Sequence, residues 1–179
     1  MRKLNTMLLA GFAMTSVLYA GSGAWADDDS DQFKARLIGY NEPPSIASTG
    51  SGAFQAKLSR SETSFEYELS FQDLAADVTQ AHIHLGQRAV NGGITIWLCG
   101  TTALPGPAGT PRCGGPRSGM VSRTVTAADV IGPAGQGIAA GDFQQVLRAM
   151  RAGVTYANVH STRNPGGEIR GQIRGGDDD

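Results

Sequence analysis

Ser64-Phe-Glu-Tyr-Glu-Leu-Ser-Phe71 alternates without a break, with Phe65, Tyr67, Leu69 and Phe71 on one side of an extended chain and Glu66, Glu68 and Ser70 on the other. Successive strand side chains point to opposite faces, so this is an antiparallel strand buried on one face. Residues 52–58 precede it as a hairpin partner, and 33–38 reads as a first strand stopped by Asn41-Glu42-Pro43-Pro44. Neither proline can donate to a ladder. Downstream, 78–85 and 94–98 read as two strands joined through Asn91-Gly92-Gly93, and 120–126 as another. The spacing of Phe143, Val146, Leu147 and Met150 after Asp142 predicts one short helix, N-capped by that aspartate and ended at Gly153. Strands at 154–160 and 168–174, linked by Asn164-Pro165-Gly166-Gly167, close the chain. The expectation is an all-β antiparallel sandwich or barrel with one short helix.

The chain opens with Arg2 and Lys3, an uncharged apolar stretch from 7 to 19, and Ala24-Trp25-Ala26. Charge, then apolar residues, then small residues is the order of a secretory signal, so 1–26 is expected to be removed and the product to be exported, to a periplasm or beyond the cell. The apolar stretch is too short and interrupted to span a bilayer, and no transmembrane segment is expected in the mature chain. That chain, 27–179, carries 13 basic residues (15 less Arg2 and Lys3) against 16 acidic ones. The balance excludes a typical nucleic-acid binder. Its 27–32 and 175–179 ends are acidic and read as solvated tails, since they lack the spaced oxygen ligands of a calcium loop.

Cys99 and Cys113 are the two cysteines. In an oxidising compartment they are expected to pair, closing a Pro/Gly-rich loop of 15 residues. A redox or metal role is the rival reading, but no Cys-x-x-Cys is present.

The three histidines sit in two compact motifs. In Ala81-His82-Ile83-His84-Leu85, period 2 sends both imidazoles to one face; in Tyr156-Ala157-Asn158-Val159-His160 it puts Tyr156, Asn158 and His160 together. If these strands adjoin, His82, His84 and His160 form a three-imidazole site suited to copper or zinc. The alternative is that the histidines hydrogen-bond to backbone and to Asn158 or Glu168 and stiffen a sheet.

Asn158-Val-His-Ser-Thr-Arg-Asn-Pro-Gly-Gly-Glu-Ile-Arg-Gly-Gln172, taken with His82-Ile-His-Leu-Gly86 and Leu37-Ile-Gly-Tyr-Asn-Glu-Pro-Pro44, closely resembles the CHRD domain, the module first described in chordin and found in bacterial exported proteins. The resemblance spans about 33–174. It departs in Ser161, where the family usually has Thr, and in a shorter spacing between Glu42 and the prolines. The resemblance implies an immunoglobulin-like β-sandwich outside the cell, with no settled catalytic activity. In its closing strand Ile169 and Ile173 are expected inward and Glu168, Arg170, Gln172 and Arg174 outward, with Glu168 and Arg170 in a structural ladder of polar contacts.

Three functions are compatible with these residues. The first is a non-enzymatic exported binding or structural module, with a metal ion at the histidines or without one. It is favoured because no nucleophile-base set, Gly-x-Ser-x-Gly elbow or spaced carboxylate pair occurs, and no catalytic residue is assigned. The second is a small copper or zinc metalloenzyme, with Glu168 as the general base near His160. The third is an adhesion domain binding an extracytoplasmic protein or glycan through its loops.

Overall fold

The computed structural model describes residues 31–175. The expected signal segment, the acidic stretch before Asp31 and the tail from 176 lie outside the described residues.

The alternating segment is β3 (Ser64–Gln72), the third strand of an antiparallel meander with β1 (Gln32–Ile38) and β2 (Ser51–Leu58). Its apolar face is buried, and Leu69 and Tyr67 stand opposite Phe54 and Ala56. β6 (Gly119–Thr126) adds to the other edge of β3. β4 (Val78–Leu85) and β5 (Ile94–Gly100) form a hairpin, and β7 (Thr155–Ser161) pairs with the free side of β4. β8 (Ile169–Gln172) and β9 (Arg174–Gly175) complete a nine-stranded sheet of order β5-β4-β7-β8-β1-β2-β3-β6, with β9 on β1. The sheet rolls over one apolar core: the Tyr67 hydroxyl on β3 donates to the Leu98 carbonyl on β5, near the opposite end of that order. The expected all-β antiparallel architecture is what the chain adopts, sandwich-like and nearly closed.

Helix α1 (Phe143–Arg151) buries Phe143, Val146, Leu147 and Met150, and the Asp142 side chain caps it by accepting from the Gln145 N–H at 3.0 Å. Among the described residues no helix is long and apolar enough to cross a membrane.

Two expectations about the closing strand need correction. Residues 168–174 are not one strand: the Ile173 N–H donates to the Thr155 carbonyl on β7, and Arg174 then passes to β1, so the ladder breaks between β8 and β9. The outward face is not wholly solvated either, because Glu168 and Arg170 are buried beneath loops. Period 2 sets which face a side chain takes, while loops packed from elsewhere in the chain set whether that face meets water.

Cys99 on β5 is bonded to Cys113, with Cα atoms 4.9 Å apart. The neck of the loop is also closed by Gly100 N–H to Pro111 carbonyl and Cys113 N–H to Gly100 carbonyl. Thiol titration of the denatured, unreduced protein should therefore find no free thiol, and reduction should lower stability by about 3 kcal/mol, the chain-entropy value for a loop of this length. Two titratable thiols per chain would contradict the pairing.

Candidate metal centre

β4 and β7 are hydrogen-bonded neighbours, with Gln80 opposite His160, His82 opposite Asn158 and His84 opposite Tyr156. This register puts His160 diagonal to His82 on the face turned away from Ala81, Ile83, Ala157 and Val159, which belong to the apolar core. The ring centroids of His82 lie 5.3 Å from His84 and 5.0 Å from His160. One ring nitrogen from each histidine lies within 4.8 Å of the others. The conditional expectation of a three-imidazole cluster is met by this strand pairing.

The cluster is covered. His82, His84 and His160 are only 1 %, 8 % and 6 % exposed, and every residue of β7 is buried. The 86–93 loop, the segment at Glu42 and the 164–167 turn close over the polar face of the sheet and hold it through hydrogen bonds.

Carbonyl oxygens only accept, so their positions assign the imidazole protons. His84 Nδ1 lies 2.9 Å from the Gly92 carbonyl and His160 Nδ1 lies 2.9 Å from the Pro165 carbonyl, so in both rings Nδ1 carries the hydrogen and Nε2 keeps its lone pair. His160 Nε2 can then accept from His82 Nδ1 at 3.2 Å, which leaves the lone pair of His82 on Nε2. The Nε2 atoms of His82 and His84 are buried with no hydrogen-bond partner. Asn158 Oδ1 also lies 3.1 Å from His160 Nε2, one acceptor against another. Buried polar atoms are ordinarily paired, so this concentration of unpaired lone pairs is what a bound cation would satisfy. Histidine ligands characteristically donate their second ring nitrogen to a backbone carbonyl, as His84 and His160 do.

Burial holds all three rings neutral. Desolvation, with His160 and His84 nearby, pushes His82 down to about 2. Desolvation lowers His84 to about 4, the Gly92 carbonyl and the Asn158 side chain opposing it and the neighbouring His160 and Arg170 adding to it. His160 is also lowered by burial, partly offset by its bond to Pro165. Neutral imidazoles are the protonation state that a metal ion needs.

Surrounding residues hold the rings in place. The Arg170 guanidinium lies 3.3 Å over the Tyr156 ring, and that ring stacks on His84 at 4.8 Å and 3°. Arg170 also donates to the Gln87 and Val90 carbonyls at 2.9 Å each, which ties down the 86–93 loop. Within that loop the Gly92 N–H donates to the Tyr156 hydroxyl while its carbonyl receives His84. A Cβ at Gly92 would lie 1.6 Å from the Leu85 carbonyl oxygen, so only glycine allows this approach. Gly167, at φ 132°, passes so close to Glu42 and Asn158 that a Cβ would meet Glu42 Oε1 at 2.5 Å.

Of the residues expected to support the site, Asn158 lies within it and Arg170 braces it through Tyr156. Glu168 does not touch the imidazoles. It accepts from the Ser48 hydroxyl and the Ala75 N–H at 2.6 Å each, and from the Ser161 hydroxyl. The sequence reading missed Glu42 and Trp97. Glu42 is buried, bonds to Asn158, and is raised by desolvation to about 7 against the opposing pull of Arg170 and Asn158. The Trp97 ring stands edge-on to His82 at 4.3 Å. Hairpin pairing of β4 with β5 carried the signal for Trp97, whereas Glu42 reaches the site through a loop that has no period to read.

The family model described as CHRD domain matches residues 33–173, from the first strand through Ile173, and includes all three histidines and both cysteines. No curated protein and no solved structure matches the chain. With its rolled antiparallel sheet and its closing His160-to-Gln172 motif set against the His82 strand, the chain belongs to the CHRD domain family.

Proposed function

We propose that this protein is a non-catalytic binding module of the cell exterior or periplasm, whose three-histidine cluster holds one copper or zinc ion. The observation that carries the metal reading is the convergence of three buried imidazoles, with the Nε2 atoms of His82 and His84 left without a hydrogen-bond partner. Three imidazole ligands fit either ion, with a further position for water or a ligand group. The ion would be held by His82, His84 and His160, with Asn158 Oδ1 beside them, and would take the place of the His82 Nδ1 hydrogen bond to His160 Nε2.

The absence of catalysis is supported by the fate of Glu168, which would be the base in a hydrolytic reading but directs its carboxylate to Ser48, Ala75 and Ser161 instead. A disulfide, a family of extracellular type and a signal-like leader support the location.

Untagged protein produced through an oxidising compartment should carry about one zinc or copper per chain by elemental analysis. His82→Ala, His84→Ala and His160→Ala should each lose most of it while keeping the β-sheet circular dichroism spectrum. Protein that takes up neither ion after reconstitution would leave the histidines as sheet hydrogen-bonders and end the metal reading.

A further inference from the structure

A groove of about 700 Å³ runs over the outer face of β1 and its neighbours, apart from the histidines. Lys34 and Arg36, two residues apart on β1, project from the same face and are exposed. Arg174 on β9 pairs directly with Lys34, and Arg88 reaches the groove from the 86–93 loop. Four cations line it and no acidic residue does. Among the described residues none of these four is in an ion pair; Arg123 and Arg151, by contrast, are paired with Asp129 and Glu62. Glu66 and Glu68 stand on β3 opposite Lys57 and Gln55, one strand beyond the groove, and share an adjoining hollow with Lys34. A chain whose acidic residues outnumber its basic ones has thus gathered on one open surface four cations with no ion-pair partner among the described residues.

We propose that this groove binds an acidic polysaccharide, a chain of uronate or sulfated sugars lying along β1. Lys34 and Arg36 are spaced by about 7 Å, the two-residue repeat of a strand, so an extended polyanion can meet them in succession. Arg174 and Arg88 flank that line, and the side-chain amide of Gln55 is placed for sugar hydroxyls, as is the Oδ1 of Asn41, whose Nδ2 donates to the Arg170 carbonyl. The groove offers no aromatic face, because the Phe54 ring is buried in the core. Single-stranded nucleic acids rely on such faces for stacking, and the groove lacks that feature. This site is independent of any metal at the histidines.

The test is binding of the full chain to polygalacturonate, with neutral dextran and a single-stranded oligonucleotide of matching length as comparisons. The protein should bind polygalacturonate at low salt, ignore dextran, and lose binding as ionic strength rises from about 0.01 M to about 1 M, where screening shortens from about 30 Å to about 3 Å. The double variant Lys34→Glu/Arg36→Glu should bind roughly tenfold more weakly, since two contacts turn from attraction to repulsion. Arg163→Glu, an exposed cation outside the groove, should bind like the parent. Melting curves check that the surface variants fold. Undiminished binding by the double variant, an equal loss in Arg163→Glu, no binding to polygalacturonate, or tighter binding to the oligonucleotide would each overturn the assignment.

Discussion

Glu168→Ala should lower the unfolding free energy by about 3–4 kcal/mol, because it strands three donors in a buried place. The carboxylate joins three separate parts of the chain: the Ser48 hydroxyl from the β1–β2 connection, the Ala75 N–H from the β3–β4 connection, and the Ser161 hydroxyl at the end of β7. Burial alone would raise its pKa, but the Ala75 N–H and the Ser161, Ser48 and Asn164 side chains outweigh burial and hold it below the ordinary carboxylate value. A carboxylate with that many donors favours its charged form. Deleting it leaves those donors without an acceptor and opens a void where three connections meet. In a domain of this size the loss should appear as a fall of roughly 10 °C in melting temperature. Glu168→Gln should lose about half as much, because one oxygen remains to accept from Ser48 and Ala75. Metal content should not change in either variant, since Glu168 makes no contact with the imidazoles. A melting temperature for Glu168→Ala within about 2 °C of the parent would refute this account.

Metal-free protein should lose stability steeply as pH falls from about 6.5 to about 4.5. His82 and His84 titrate in the unfolded chain near 6.5 but are held at about 2 and about 4 in the fold, and His160 is lowered as well. Between those limits the unfolded state takes up two protons that the native His82 and His84 refuse, and His160 acts in the same direction. Glu42 works the other way: its folded value of about 7 lies above its ordinary 4.5, so the native state takes up one proton that the unfolded chain does not. Two less one leaves at least one proton favouring the unfolded state, before His160 is added. At about 1.4 kcal/mol per proton per pH unit, two units of pH should remove at least roughly 3 kcal/mol. Against total stabilities of about 5–15 kcal/mol that is a substantial share. Urea unfolding in the presence of a chelator at pH 7, 6 and 5 measures the slope. Glu42→Gln should steepen it by removing the opposing proton. A stability that is flat or rising toward pH 5 would show that the imidazoles are not held neutral.

The same histidines read differently in sequence and in space. His82 and His84 share a face because any strand alternates, and that was legible from Ala81-His-Ile-His-Leu85 alone. His160 joins them only because β7 pairs with β4 rather than with another strand, a pairing set by how the sheet rolls over its core. The proton positions depend on the Gly92 and Pro165 carbonyls, which belong to turns. Trp97 could be inferred from the β4–β5 hairpin, but Glu42 and the capture of the 86–93 loop by Arg170 had no periodic trace.

By itself the sequence determined the strands up to the closing one, the helix with its Asp142 cap, the cysteine pair and the family, because each rests on local alternation, capping or a contiguous motif. Tertiary structure alone decided that Glu168 and Arg170 are buried, that the closing strand breaks at Ile173, that the three imidazoles meet, and that Lys34, Arg36, Arg88 and Arg174 share a groove. The physical reason is one of range. Alternation repeats every two residues and can be read within a segment, whereas burial of a polar face and convergence of distant side chains depend on which strands and loops the rolled sheet brings together.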